Sequence, residues 1–385
     1  MRSAPGCLAV PQQRCDKRRG SGGTLKGEDA EMAAPGNPAD GSRRRHATIA
    51  DVADAAGVAV GTVSRYLNGL PIRNANRHPI EDAIRELGFR RSSVALSMKT
   101  QRTEIIGLMI PGASEFHSAL HESLARKLRQ QGRAVICYSH DRDPASIARG
   151  LEFFRDHRVD AVVLDGDEGG RAVVQRQIED GLIAVLYDHD LPGIAADRVF
   201  MENVNSSRRL VDYLVQLGHR RIATLHGLLE NSGGAERLEG YLQSLRDHKV
   251  TLDLNYVVPG YWIEEGGYAG MRDLMSLPQP PTAVFGANYN MTIGALRWLR
   301  ENDLVVPRDI SIISFDDVPA FSVHPAGITA VLQPTERFAE AIAQLLAERL
   351  DADGSIKRRT LRIDGSITLR GSARAIVPAE TQWRL

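Results

Sequence analysis

The sequence predicts an all-α helix-turn-helix head joined to an α/β core of two doubly wound parallel-sheet subdomains. Three observations predict it. Residues 48–69 read as two short helices with a tight turn between them. From Glu104 onward, buried-strand runs alternate with helical stretches, the pattern of parallel sheets covered on both faces. The length of 385 residues, with 43% hydrophobic content, suits two or three domains and leaves room for two such sheets.

The first helix is expected from Thr48, with Asp51 three residues on, as in a capping box. Ile49, Val52, Ala53 and Ala56 recur at helical spacing and form one apolar face. Gly57 supplies a left-handed stop. In the second helix Val63 and Leu67 face inward, Thr62, Ser64 and Arg65 face outward, and Gly69 ends it. Helices this short are marginal alone in water, so they need a third partner. Ile80, Ile84 and Leu87 supply one, ended by Gly88. Pro79 belongs in a first helical turn, so this helix is expected to begin near Asn76 or His78. The layout fits a helix-turn-helix that lays its second helix in a DNA major groove. It also fits an ordinary helical hairpin in a core.

Charge favours the first reading. The formal net charge is zero, so the chain is not basic all over. Around the motif, however, Arg43, Arg44, Arg45, Arg65, Arg73, Arg77, Arg85, Arg90, Arg91, Lys99 and Arg102 are offset only in part by Asp51, Asp54, Glu81, Asp82 and Glu86. That local excess suits a phosphate backbone.

Strands are expected at 105–110, 134–138, 161–164, 183–187, 222–225, 283–286 and 310–315. Helices are expected at 120–131, 206–217, 235–246 and 291–302. There is no clear internal sequence repeat. Residues 1–46, rich in Gly, Pro, Ser and Arg without periodicity, read as disordered, and Met32 could be the true start. Arg18-Arg19 lacks the apolar run of a secretion signal. Cys7, Cys15 and Cys137 have no metal or C-x-x-C spacing, which points to a reducing compartment without a disulfide framework. No run of 18 apolar residues exists. A cytoplasmic protein without cofactor or metal is expected.

Enzyme signatures are missing. There is no phosphate loop, no dinucleotide fingerprint and no nucleophile elbow. His121-Glu122 has no second His at zinc-helix spacing. Asp316-Asp317 after the strand 310–315 sits where α/β sheets place ligand contacts. Taken alone, the pair fits either acid/base chemistry or the capping of a turn.

The stretches Asp51-Val-Ala, Ala56-Gly-Val58, Thr62-Val-Ser-Arg65 and Leu67-Asn-Gly69 closely resemble the DNA-binding head of the LacI/GalR family of bacterial repressors. The likeness continues, more thinly, to about Ala373. It implies a head at 47–89, a hinge at 90–103, and a periplasmic-binding-protein-like core at 104–375 with a short tail. The core's N-subdomain would comprise about 104–203 and 333–363, and its C-subdomain about 204–332 and 364–375. The chain would cross between them near Asn203, Gln333 and Asp364.

The resemblance also implies DNA contacts from Thr48, Val60, Gly61, Thr62, Ser64, Arg65, Asn68, Ser92 and Met98. Met98 would be the apolar wedge that relatives push into the minor groove; the plain alternative is an interdomain linker. Effector contacts would come from Phe116, Asp165, Arg237, Trp262, Asn288 and Asp316, a set that suits a polyhydroxylated ligand. This sequence departs from the family pattern in three places. Tyr289 stands where Asp is usual, Ser114-Glu-Phe-His117 replaces Asn-Pro-aromatic-aromatic, and Ala235 replaces a second arginine. These changes leave Glu115 or His117 to meet a cationic or more polar group.

The expected function is a homodimeric repressor that binds double-stranded operator DNA and responds to a small effector, a sugar or related metabolite. The rivals are a sugar-binding protein or carbohydrate enzyme on the same core, and an architectural DNA binder without ligand. The tail after Leu369 lacks leucine heptads, so a dimer is expected rather than a tetramer.

Overall fold

The structure, a computed structural model, describes residues 47–90, 102–351 and 357–376. The chain divides into two compact units, residues 1–90 and 91–385.

The first unit holds α1 (Ile49–Ala55), α2 (Val60–Leu67) and α3 (Asn74–Glu86). The capping box at Thr48 forms: its hydroxyl accepts the Asp51 N–H at 3.3 Å, and Asp51 accepts the Thr48 N–H at 2.7 Å. Gly57 takes φ of 64° in the turn, a conformation that suits a residue without Cβ. Val52, Ala53, Val63, Ile80 and Ala83 bury together, with Ile49, Val58, Leu67 and Phe89 packed around them. The third helix begins at Asn74, earlier than its proline suggested. Pro79 lies inside it and has no N–H for the carbonyl of Ala75. Ala75 is exposed, so water can meet that carbonyl, and burial of Ile80 and Ala83 keeps the helix going.

The second unit contains two six-stranded sheets. The first holds β1 (Ile105–Ile110), β2 (Ala134–Ser139), β3 (Ala161–Asp165), β4 (Ala184–Tyr187), β5 (Asp197–Met201) and β11 (Thr360–Ile363). Their order is β11-β5-β4-β3-β1-β2, all parallel. The second holds β6 (Ile222–His226), β7 (Val257–Pro259), β8 (Ala283–Gly286), β9 (Ser311–Phe315), β10 (Thr329–Leu332) and β12 (Ser366–Thr368). Its order is β12-β10-β9-β8-β6-β7, parallel except for β12.

Five strands of each sheet follow the same winding, 2-1-3-4-5 in one and 7-6-8-9-10 in the other. The fold thus repeats where the sequence shows no clear repeat. β3, β4, β6, β8 and β9 are buried along their whole length, which explains why they read as continuous apolar runs. The covering helices are α4 (Glu115–Gln130), α5 (Pro144–Asp156), α6 (Arg171–Glu179), α7 (Asn203–Gln216), α8 (Ser232–Asp247), α9 (Glu264–Met275), α10 (Tyr289–Glu301), α11 (Pro319–Val323) and α12 (Thr335–Asp351). The chain passes from one sheet to the other after β5, after β10 and between β11 and β12.

Candidate functional site

In the head, α2 carries Val60, Gly61, Arg65 and Asn68 on its exposed side, with Thr62 and Ser64 half-buried. Val60 is 46% exposed, unusual for a valine beside a formed apolar core. Asn68 donates to the Ser64 carbonyl at 2.8 Å and so extends the helix end. The Arg65 guanidinium folds back and donates to the Pro71 carbonyl, at 3.3 Å from Nε and 3.2 Å from Nη2. Thr48 is exposed at the start of α1. Ser92 and Met98 lie outside the described residues.

In the core, the winding sets the site. Each sheet reverses its strand order at one point, β1/β3 in the first and β6/β8 in the second. Loops leaving the strand C-termini there form a crevice for ligands. A cavity of about 360 Å³ opens among these loops and is lined from both lobes, with Gln333 from the crossover after β10. Phe116, Arg237, Trp262, Asn288 and Asp316 all line it.

Arg237, on α8, is 5% exposed. Its Nε donates to Asn203 at 3.0 Å and its Nη1 to the Ala287 carbonyl at 2.7 Å. The guanidinium carbon sits 3.7 Å from the centre of the Phe315 ring and 5.3 Å from that of Trp262. Its partner across the wall is Asp316, with 3.7 Å between Nη1 and Oδ2. Asp316 follows β9 with φ of 68°, and its Oδ1 accepts from Gln333 at 2.6 Å. Burial raises its pKa above the usual carboxylate value, against the pull of Arg237 and Gln333.

Trp262 also takes a positive φ, 67°. Its indole closes over Gly227, the residue after β6, where a Cβ would stand 2.1 Å from the ring. The indole N–H is buried without a partner. Asn288 caps α10, accepting the Met291 N–H at 2.9 Å, and donates to the Trp262 carbonyl at 3.1 Å. Its amide holds the wall with one bond at each end and keeps a second N–H and a second lone pair at the cavity it lines.

Asp165 departs from expectation. It does not line the cavity. It ends β3 beneath the wall, where its Oδ1 accepts from His189 Nδ1 at 2.6 Å. A carboxylate this deep is tolerable because a charged partner meets it. Burial opposes a charge on His189, but Asp165 and Asp188 overcome it and raise the imidazole's pKa. His117 goes the other way, its pKa lowered by burial.

The sequence reading missed Asp188, His189, Arg142, Tyr261, Asn290 and Gln333, all of which line the cavity. Asp188 was within reach. It follows β4 as Asp316 follows β9, each the fourth strand of its winding, and it shares the positive φ, 60°. The pair Asp188-His189 leaves a buried strand just as Asp316-Asp317 does. The others come from loops that carry no pattern.

A chain that carries both a three-helix head and a bilobed α/β core with a polar cleft has the parts of a DNA-binding regulator. Residues 48–92 match the lacI family of bacterial regulatory proteins, and residues 211–373 match the periplasmic binding protein-like domain. The Escherichia coli (strain K12) ribose operon repressor is 29% identical over 332 residues, covering 85% of this chain and 100% of the relative. The transcriptional repressor PurR of Klebsiella pneumoniae (strain 342) is 30% identical over 312 residues, covering 79% and 90%. Among solved structures, the regulator CelR in complex with cellobiose is 28% identical with a TM-score of 0.65, covering 85% of this chain and 100% of that one. A lac repressor dimer bound to operator shares the fold, with a TM-score of 0.76 at 23% identity over 86% of this chain and 100% of that one. The chain belongs to the lacI family of bacterial regulatory proteins. It is a DNA-binding transcription regulator. Among the described residues no helix is long and apolar enough to cross a membrane.

Proposed function

We propose that this regulator is a homodimeric repressor whose operator affinity is set by a polar, polyhydroxylated effector in the core cleft. The observation that carries the reading is the cleft itself. Paired carboxylates, an arginine and an indole from two lobes meet around about 360 Å³, on a chain whose other unit is a helix-turn-helix head. Polar side chains fix hydroxyls and the ring covers an apolar sugar face. The likeness to a ribose repressor and to a cellobiose-bound regulator supports a sugar.

In the head, Val60 and Arg65 are the base-reading residues and Gly61, without a side chain, relaxes readout at its position, with Thr48, Thr62, Ser64 and Asn68 on phosphates. Gly61 has open space where a Cβ would be, so packing does not require a glycine there, and close approach to DNA gives it a use. The resemblance assigns Ser92 and Met98, which lie outside the described residues, to the hinge at 90–103. Two heads read a two-fold symmetric operator. An apolar groove of about 680 Å³ on the second lobe, with Val323 81% exposed, suits a second copy of the chain. The operator places the protein in the cytoplasm.

The test has two stages. Thermal unfolding with pentoses, hexoses, disaccharides, nucleosides and amines finds the effector, since a ligand at a hundred times its Kd stabilises by about 2.7 kcal/mol. Operator titration of Asp316→Ala then reads the coupling. The wild type should show a change of about 5–150-fold with effector, and the variant none. A variant that still responds fully would make Asp316 a turn carboxylate and move the effector elsewhere.

A further inference from the structure

His117 in the first turn of α4, Asp165 at the end of β3 and Asp188 just after β4 are far apart in sequence, so no metal-ligand spacing announces them. In the fold, one ligating atom of each lies within 4.8 Å of the others. Two atoms of these residues are buried and without hydrogen-bond partners: His117 Nε2, on a residue 7% exposed, and Asp165 Oδ2, on a residue 3% exposed. Buried polar atoms left unsatisfied cost free energy unless something meets them. A proton donor of the protein does not. Asp188 Oδ2 is 4.0 Å from His117 Nε2, and Arg142 Nη2 is 3.7 Å from Asp165 Oδ2, both beyond hydrogen-bond range.

The geometry points to a site for a divalent first-row metal ion on the first lobe's side of the cleft, held by His117 Nε2, Asp165 Oδ2 and Asp188 Oδ2. The surrounding bonds orient these atoms as such sites require. Ser114 Oγ lies 2.7 Å from His117 Nδ1, which fixes the ring and leaves Nε2 for the ion. His189 engages the other oxygen of Asp165 at 2.6 Å. One nitrogen with two carboxylates suits Zn²⁺, with Co²⁺ and Mn²⁺ as near substitutes. Bonds of about 2.0–2.2 Å require the three atoms to draw in by roughly an ångström. His189 Nδ1 already lies 2.6 Å from Asp165 Oδ1 and 3.4 Å from Asp188 Oδ2, so a dication adds to that compensation, while Arg142 keeps a second partner in Asp167 at 3.6 Å. Three protein ligands leave open positions. His117 and Asp188 line the cavity, so those positions face the effector, and an oxygen of that ligand completes the coordination. Only this last step rests on the effector reading.

The experiment uses full-length protein stripped with EDTA and titrated with Co²⁺, followed by its visible d–d absorption and by calorimetry with Zn²⁺ as competitor. The expected result is one Co²⁺ per chain, without thiolate bands, displaced by Zn²⁺. His117→Gln and Asp188→Asn should each abolish it, and Ser114→Ala should weaken it about 10–100-fold. Unfolding in EDTA checks the fold of each variant; should the two ligand variants fail to fold, Ser114→Ala carries the test. Failure to bind Co²⁺, or binding that survives the substitutions unchanged, overturns the site. A sugar that still stabilises the metal-free protein in that case leaves the effector reading standing.

Discussion

The proposed base reading turns on Arg65. Its guanidinium is tied to the Pro71 carbonyl by two long, exposed hydrogen bonds. Such bonds contribute little against water, so exchanging them for guanine O6 and N7 would cost little. Arg65→Ala should cost about 1–3 kcal/mol of discrimination against the wrong base, read by gel shift on operator and on a variant with that base pair changed. The thermal midpoint of the head should hardly move. Equal affinity loss on both DNAs would assign Arg65 to phosphate instead. The exposed side of α2 was legible because helix period and cap signals fix which residues face out. The cleft was legible only where family motifs mark it. Asp188 and Gln333 come to the cavity through the winding of the chain, and Asp165, at the end of β3, lies off its lining.

The elements divide along the same line. The fully buried strands were readable as continuous apolar runs, and amphipathic helices by their period. The strands at 197–201, 257–259, 329–332, 360–363 and 366–368 were not; those at 257–259, 360–363 and 366–368 lie at sheet edges. Tertiary pairing makes them strands, not propensity. The third helix of the head is the opposite case, since a local rule was overridden. Pro79 removes one bond inside α3 and is held there by the packing of Ile80 and Ala83 on either side of Val52 and Val63. Pro79→Ala should therefore stabilise the head, by up to about 3 kcal/mol. Amide exchange of residues 80–86 in the full chain should slow accordingly, while exchange in the core sheets stays as it was. Faster exchange would mean that the proline's fixed φ, not the lost bond, governs this helix.

At the scale of the whole core, two copies of one winding face each other, and what joins them decides how a ligand can act. A ligand shifts an equilibrium between arrangements only by binding one of them better. Tyr289, at the start of α10 on the second lobe, lies near enough to Glu115, at the start of α4 on the first, for the Glu115 backbone N–H to favour the ionised phenol, although burial raises its pKa overall. This is the position where the resemblance implies Asp, so a bond between that N–H and the phenol would be a latch particular to this chain. If the two close on each other, losing the bond costs about 0.5–1.5 kcal/mol, so Tyr289→Phe should reduce the closed fraction and raise the effector midpoint about 2–12-fold. The phenol also lines the cavity, so a direct contact could give the same shift. Glu115→Pro separates the two. Proline is tolerated at the first helical position and Ser114 before it is extended, so the N–H donor is removed together with the carboxylate, and Glu115→Ala, which removes the carboxylate alone, is the control. If the latch is the cause, the two variants shift the midpoint alike and the double variant shifts it no further. Additive shifts would assign Tyr289 to the ligand and leave the lobes unlatched.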